Sequence, residues 1–77
     1  MKLPELSRVV LTRDLPEEKL SAGDVGTIVH AYTNGAAYEV EFFSLTGKTI
    51  AVATVAAGSL RPVAANDVAS ARSVAAE

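Results

Sequence analysis

The sequence predicts an all-β domain of five short strands, and three observations lead to this prediction. The run "RVVLT" at residues 8–12 is short and rich in β-branched side chains, which favour strands. Residues 36–43, "AAYEVEFF", alternate apolar and polar side chains with the period of a half-buried strand. Before this segment lies Asn34-Gly35, a dipeptide typical of two-residue β-hairpins.

From the second strand onwards, the predicted strands follow one another at short intervals. Alternation places Tyr38, Val40 and Phe42 in the core, with the acids of the third strand on the opposite face. The inward face of the fourth strand stays undecided, because threonine and small residues occur on both of its faces. Leu60 and Val63 point inward from the fifth strand. In order, we predict strands at residues 8–12, 25–32, 36–43 and 48–55, and a short fifth strand after a helical turn that begins near residue 59.

A long connection, residues 13–24, separates the first two strands. It is too long for a tight hairpin and too polar for a strand. We therefore expect a loop that folds over and is held by its two large apolar residues, Leu15 and Leu20. Pro16, followed by two glutamates, favours one short helical turn, because proline suits the first helical position and carboxylates suit the positive end of a helix.

The connection ends in a glycine turn, Gly23-Asp24-Val25-Gly26, which has two interpretations. Successive N–H groups in such a turn can bind an anion. However, Asp24 would bring negative charge to that space, and neither the lysine of a phosphate loop nor a long helix follows. We favour a structural role. Gly23 supplies a turn dihedral, Asp24 accepts backbone N–H bonds, and Gly26 lets the second strand approach a neighbouring backbone.

This order of strands and turns is that of a small five-stranded SH3-like barrel, which we place at residues 7–63. The long first loop, the tight turns after it and the helical turn before the last strand favour this barrel over an OB-fold, which carries a helix between its third and fourth strands. That choice is an analogy between folds. Residues 64–77 form an alanine-rich tail, for which we expect either disorder or a marginal helix.

Composition argues against several classes of protein. A chain of 77 residues with two Phe, two Tyr and no Trp has a small core, so a deep catalytic cleft is not expected. The absence of cysteine removes disulfides, zinc-thiolate sites and thiol nucleophiles, and it fits a cytoplasmic location. No signal peptide or membrane-spanning run is indicated. The net charge of −2, with seven scattered basic residues, argues against nucleic-acid binding.

The candidate chemical groups do not form a catalytic or metal-binding pattern. His30 is the only histidine, so a metal would need several carboxylates around one imidazole. Glu39 and Glu41 lie on one strand face about 7 Å apart, a separation compatible with two-carboxylate chemistry. An exposed strand face, however, favours a solvated surface. We therefore predict no catalytic residue, no metal site, no cofactor and no enzymatic activity.

The candidate contacts for a partner are Tyr32, Phe43, Glu39, Glu41 and Arg13. In SH3-like barrels, aromatic residues beside the long first loop and the next turn often line a peptide groove. Phe43 is out of register with the core residues of its strand and should be partly exposed. The alternative is that Phe43 caps the open end of the barrel or is covered by the C-terminal segment. The chain has too few aromatic residues for a groove specific for proline-rich peptides.

Several motifs together resemble a small bacterial family catalogued only as a domain of unknown function. They are a Leu-Pro-Glu loop, a Gly-Asp-x-Gly-Thr turn, a Tyr-x-Val-Glu-Phe strand and a closing Leu-Arg-Pro, at residues 15–17, 23–27, 38–42 and 60–62. The resemblance implies an SH3-like barrel without established enzymatic activity, whose genes lie in accessory or mobile regions. It supplies no catalytic residues, and the sequence after Val63 departs from the shared pattern.

The functional prediction is a non-enzymatic module that binds a protein partner or associates with itself, for instance as a homodimer. The binding surface is the face of the third and fourth strands together with the 13–24 loop. One alternative is an antitoxin or immunity-type neutraliser in an accessory gene pair, which the mild acidity and the implied gene setting favour. Another is an RNA-binding barrel, by analogy with ribosomal proteins that contain similar glycine-aspartate turns.

Overall fold

A single antiparallel sheet organises the chain in the computed structural model, which describes residues 3–74. The strands are β1 (Arg8–Leu11), β2 (Val25–Ala31), β3 (Ala37–Phe43), β4 (Thr49–Ala56) and β5 (Leu60–Pro62), and short 3-10 turns cover Pro16–Glu18 and Ala57–Ser59. The strand order is β4-β3-β2-β1-β5. The prediction of an all-β fold with five strands is confirmed, and the first four strands end within one residue of their predicted bounds. Among the described residues, β4 and β5 are the two edges of the sheet and do not pair with each other.

The core lies on one face of this sheet. Tyr38, Val40 and Phe42 are buried, as the alternation of β3 predicts. Pairing of Tyr38 with Val55 and of Val40 with Ala53 turns those β4 residues inward as well. The buried cluster contains Leu3, Val9, Leu11, Leu20, Ile28, Tyr38, Val40, Phe42, Ala53, Val55 and Leu60.

One expectation about the sheet's faces is wrong. Val63 was expected to point inward, but it is exposed because β5 ends at Pro62. Val9 and Val10 are successive residues of β1 and point to opposite faces, and both side chains are buried. Both faces of β1 are therefore covered.

Gly26 allows β2 and β3 to pack closely. It pairs with Phe42 in the β2–β3 ladder. A Cβ atom added at Gly26 would lie 2.6 Å from Cγ1 of Val40 and 2.9 Å from the ring of Phe42. Because real Cβ atoms do not approach other atoms so closely, only glycine fits here without displacing the core.

The long loop folds back on itself through two leucines. The backbone groups of Leu15 and Leu20 exchange hydrogen bonds of 2.9 and 3.1 Å, and the side chain of Leu20 enters the core. The end of the loop is bonded to β1, since Gly23 N–H donates to the Leu11 carbonyl and Leu11 N–H donates to the Asp24 carbonyl. These bonds fix Asp24 at the start of β2.

The C-terminal segment turns back towards the sheet. Residues 64–74 contain no helix, and a turn at residues 65–66 reverses the chain. The side chain of Arg72 then reaches the loop before β2, where it bonds Asp24. Residues 75–77 of the predicted tail lie outside the described residues. Across residues 3–74, no helix has the length and apolar character needed to cross a membrane.

Candidate functional site

A cleft lies between one end of the sheet and the C-terminal segment. Its volume is about 410 Å³. The walls come from the long loop, the first residue of β2, the end of β3 and the start of β4, and residues 70–74 form the remaining side. The apolar wall residues are Leu20, Val25, Phe42, Phe43, Leu45 and Ile50. We call this space the C-terminal cleft.

Phe43 faces the C-terminal cleft because the ladder is irregular at the end of β3. Phe42 pairs with Ala51, but Phe43 pairs with Thr49, which marks a register shift between them. Phe42 is 2% exposed, whereas Phe43 is 44% exposed. Leu45, in the tight turn that follows, is 85% exposed. Two large apolar side chains therefore stand beside the cleft with much of their surface in solvent.

Arg72 closes the cleft by bonding the glycine turn. Its Nε donates to Oδ1 of Asp24 at 3.0 Å, and its Nη2 donates to Oδ2 of the same carboxylate. Nη2 also donates to the Lys19 carbonyl at 3.2 Å. Paired N–H donors on one carboxylate are the strongest geometry that a guanidinium adopts. We call the Asp24 carboxylate together with the Lys19 carbonyl the arginine socket.

The glycine turn holds Asp24 in place for this contact. Gly23 has a φ of +95°, a conformation that glycine adopts without steric cost. Oδ2 of Asp24 accepts the Ser21 N–H at 2.8 Å. Asp14, in the same loop, accepts the Ala22 N–H at 2.9 Å. The turn thus orients the carboxylate of Asp24 through a contact that does not involve Arg72.

The ionisation of Asp24 reflects these contacts. Partial burial by itself raises the pKa of Asp24, but the hydrogen bond and charge of Arg72 and the Ser21 N–H together outweigh burial. The net pKa of Asp24 is lower than its usual value. The arginine socket is therefore anionic at neutral pH.

A second ion pair that involves an arginine lies at the start of the C-terminal segment, and it joins two residues that are close in the sequence. Arg61 donates from Nη1 and Nη2 to the carboxylate of Asp67 at 2.8 and 2.9 Å. The Arg61 hydrogen bond and the Ala64 N–H lower the pKa of Asp67 to about 2. This pair stabilises the turn at residues 65–66, whereas Arg72 joins segments 48 residues apart.

The acids of β3 lie on the outer face of the sheet, away from the socket. Glu41 accepts a hydrogen bond of 2.7 Å from the Thr49 hydroxyl, and Glu39 accepts one from the Thr54 hydroxyl. Both threonines belong to β4. The two acids are partly buried and share a face, as the alternation of β3 predicts, and each is bonded to its neighbouring strand.

Tyr32 lies at the end of the sheet opposite Phe43. β2 separates Tyr32 from the cleft by about 23 Å at the usual rise of a strand. The ring of His30 packs edge-on against Tyr32 with centroids 4.9 Å apart, and Nδ1 of His30 is 3.7 Å from the carboxylate of Glu5. Tyr32 and Phe43 therefore do not form one site. Arg13 is exposed in the long loop.

The part of the chain that the structure describes contains no group of three His, Asp or Glu side chains placed to hold a metal ion. The arginine socket at this cleft offers one carboxylate and one backbone carbonyl, which accept hydrogen bonds. The arrangement is suited to binding a donor-bearing side chain beside an apolar surface. Sequence reasoning did not find Arg72, because nothing in the local pattern links it to Asp24.

Comparison with family models matches residues 5–62 to a domain of unknown function, DUF4926. This match covers well over half of the 77 residues. The chain belongs to the DUF4926 family. The searches of curated proteins and of solved structures return no significant match. The matched residues contain all five strands and the walls that the long loop and the sheet give to the C-terminal cleft, whereas the side formed by residues 70–74 lies beyond them.

Proposed function

We propose that this protein is a non-enzymatic interaction module that binds a protein partner in the C-terminal cleft. The observation that carries the proposal is the exposure of Phe43 and Leu45 beside a cleft of about 410 Å³. Clustered apolar surface of this kind on a small domain marks sites of interaction. Pockets that bind ligands generally have volumes of roughly 300–1,000 Å³.

The shape of the cleft suits an extended segment of chain. Residues 70–74 already lie along it without forming helix or strand. Its walls come from the long loop and from the adjoining ends of β3 and β4, so it joins two of the regions for which the sequence predicts partner binding. We therefore place the binding surface at Phe43 rather than at Tyr32.

The proposal includes an SH3-like barrel as the scaffold. The order β4-β3-β2-β1-β5, with β5 antiparallel to β1, supports this assignment. The long loop after β1 and the 3-10 turn before β5 support it as well. Such barrels commonly bind peptides beside their long first loop. A cytoplasmic location, which the lack of cysteine favours, completes the proposal.

The test compares two exposed apolar residues of neighbouring strands. Tagged full-length protein is used to capture partners from a lysate of its own cells, with Phe43→Ser and Val52→Ser as matched variants. Val52 is 52% exposed and lies on β4 outside the cleft. We expect a specific protein to be retained by the wild type and by Val52→Ser and to be lost with Phe43→Ser.

Two results would contradict the proposal. One is the retention of the same protein by Phe43→Ser and its loss with Val52→Ser, which would place binding on the outer face of β4. The other is the absence of any retained protein from a chain that sediments strictly as a monomer. Circular dichroism of each variant confirms that the fold is kept.

A further inference from the structure

One side of the C-terminal cleft is formed by residues 70–74 of this chain, and the contact that Arg72 makes there indicates what the neighbouring walls recognise. We propose that the cleft binds an extended, arginine-containing segment of the partner, and that residues 70–74 act as its intramolecular competitor. This inference rests on the function proposed above and specifies the chemistry of the partner. The evidence is the arginine socket and the incomplete cover of Phe43.

The arginine socket is specific for a guanidinium. Nε and Nη2 of Arg72 bond the two oxygens of Asp24, and Nη2 also reaches the Lys19 carbonyl. A lysine ammonium is a point charge and cannot reproduce this planar fork. The charge of Asp14 adds to the attraction that Arg72 experiences. An arginine of a partner would therefore meet preformed acceptors and favourable charge.

Residues 70–74 cover the apolar wall of the cleft only in part. Ser70, Ala71 and Ser73 are small and exposed, and Val74 is half-buried. Phe43 therefore keeps 44% of its surface exposed. In an extended chain, residues i and i+2 lie on the same face. A partner with a large apolar residue two positions after its arginine would cover more of the cleft than Val74 does.

The contact made by Arg72 can be displaced. The side chain of Arg72 remains 38% exposed in its pair with Asp24, and ion pairs at such exposure are weak and screened by salt. The rest of the segment from residue 64 to residue 73 is exposed. Attachment to the same chain gives the segment a high effective concentration, so it competes without binding tightly.

The experiment measures binding of two peptides to the full-length protein by fluorescence anisotropy. The first peptide carries residues 68–75 with Val74→Phe, and the second also carries Arg72→Lys. The proteins are the wild type, Arg72→Ala, Asp24→Asn and Arg8→Ala. Arg8 is the matched control, since it is exposed on β1 and does not line the cleft. Circular dichroism confirms that each protein is folded.

We expect Arg72→Ala to bind the first peptide about two- to fivefold more tightly than the wild type, because the competitor is released. Arg8→Ala should bind like the wild type. The lysine peptide should bind about two- to fivefold more weakly than the arginine peptide, and Asp24→Asn should reduce this difference between the two peptides. The lysine peptide supports the role of the socket without altering the protein, so the test does not depend on the folding of Asp24→Asn.

Equal affinity of the wild type and Arg72→Ala for the first peptide would overturn the competition. Equal binding of the arginine and lysine peptides would overturn the arginine preference. A wild type that sediments as a dimer, and becomes monomeric with Arg72→Ala, would assign the segment to a second copy and overturn the intramolecular arrangement.

The two proposals fail in different ways. Partner capture that depends on Phe43 but is unchanged in Asp24→Asn would leave the proposed function standing and remove the arginine inference. Peptide binding with the expected pattern, together with no captured partner, would support the inference about the cleft and count against the wider function.

Discussion

Phe42 and Phe43 are neighbours in β3, yet they lie in two different regions of the molecule. Phe42 packs in the buried core beside Gly26 and Val40, whereas Phe43 stands at the C-terminal cleft with 44% of its surface exposed. Successive side chains of a strand point to opposite faces, and the register shift between these two residues places Phe43 at the end of the sheet. The same strand thus stabilises the fold through one residue and presents the proposed binding surface through the next.

The sharpest test of this contrast is alanine substitution at each phenylalanine. Phe42→Ala should lower the free energy of unfolding by about 3–5 kcal/mol, because it opens a cavity in a closed core. Phe43→Ala should lower it by less than about 1 kcal/mol, because much of the ring is already in solvent. Urea denaturation followed by circular dichroism measures both. Similar losses at the two positions would mean that Phe43 belongs to the core.

A smaller effect is expected at the glycine that lies against Phe42. Gly26→Ala should destabilise the protein by about 1–3 kcal/mol, since the added methyl group meets Val40 and the ring of Phe42. Gly58→Ala is the matched control, because a Cβ atom there has no neighbour within 4 Å. It should change stability by less than about 0.5 kcal/mol. Thermal unfolding of both variants measures the difference, and an unchanged Gly26→Ala would show that β2 and β3 can separate freely.

The core also contains a buried hydrogen bond that a single substitution can remove. The Tyr38 hydroxyl accepts a buried hydrogen bond of 3.0 Å from the Leu3 N–H. Tyr38→Phe should cost about 1–3 kcal/mol, because it leaves that N–H without its partner. Tyr32→Phe, at the exposed end of β2, should cost less than about 0.5 kcal/mol. Urea denaturation distinguishes the two, and equal stability of both variants would show that Leu3 is not held by Tyr38.

The smallest expected change in stability concerns the contact between Arg72 and Asp24, and this contribution depends on pH. The pKa of Asp24 lies below its unfolded value of 3.8, so its contact with Arg72 stabilises the fold above that pH. This contribution is lost as the pH falls through the folded pKa. Arg72→Ala should therefore lower stability by less than about 1 kcal/mol near neutral pH, and by less still near pH 2. A difference between wild type and variant that grows in acid would contradict the role of Asp24.

Local pattern was sufficient to predict the strands but not every face. The alternation around Tyr38, Val40 and Phe42 predicts the buried face of β3, because one strand's period carries that information. In β4, threonine and small residues occur on both faces, and only pairing with β3 turns Ala53 and Val55 inward. The inward placement of Val63 was wrong because the end of β5 cannot be read from so short a stretch.

The candidate site was harder to predict for a related reason. The exposure of Phe43 follows from its position in the alternation of β3, and that alternation can be read from the sequence. The contact between Arg72 and Asp24 joins positions 48 residues apart. It depends on the reversal of the C-terminal segment after Arg61, and neither residue carries a local signal of the other.

The Phe43 end of the sheet is the proposed site of partner binding, and an NMR titration tests this proposal most directly. ¹⁵N-labelled Arg72→Ala protein would be titrated with the peptide of residues 68–75 carrying Val74→Phe. We predict saturable shift changes at Asp24, Val25 and residues 43–45, with Tyr32 unaffected. Shift changes centred on His30 and Tyr32, or none at residues 43–45, would contradict the account.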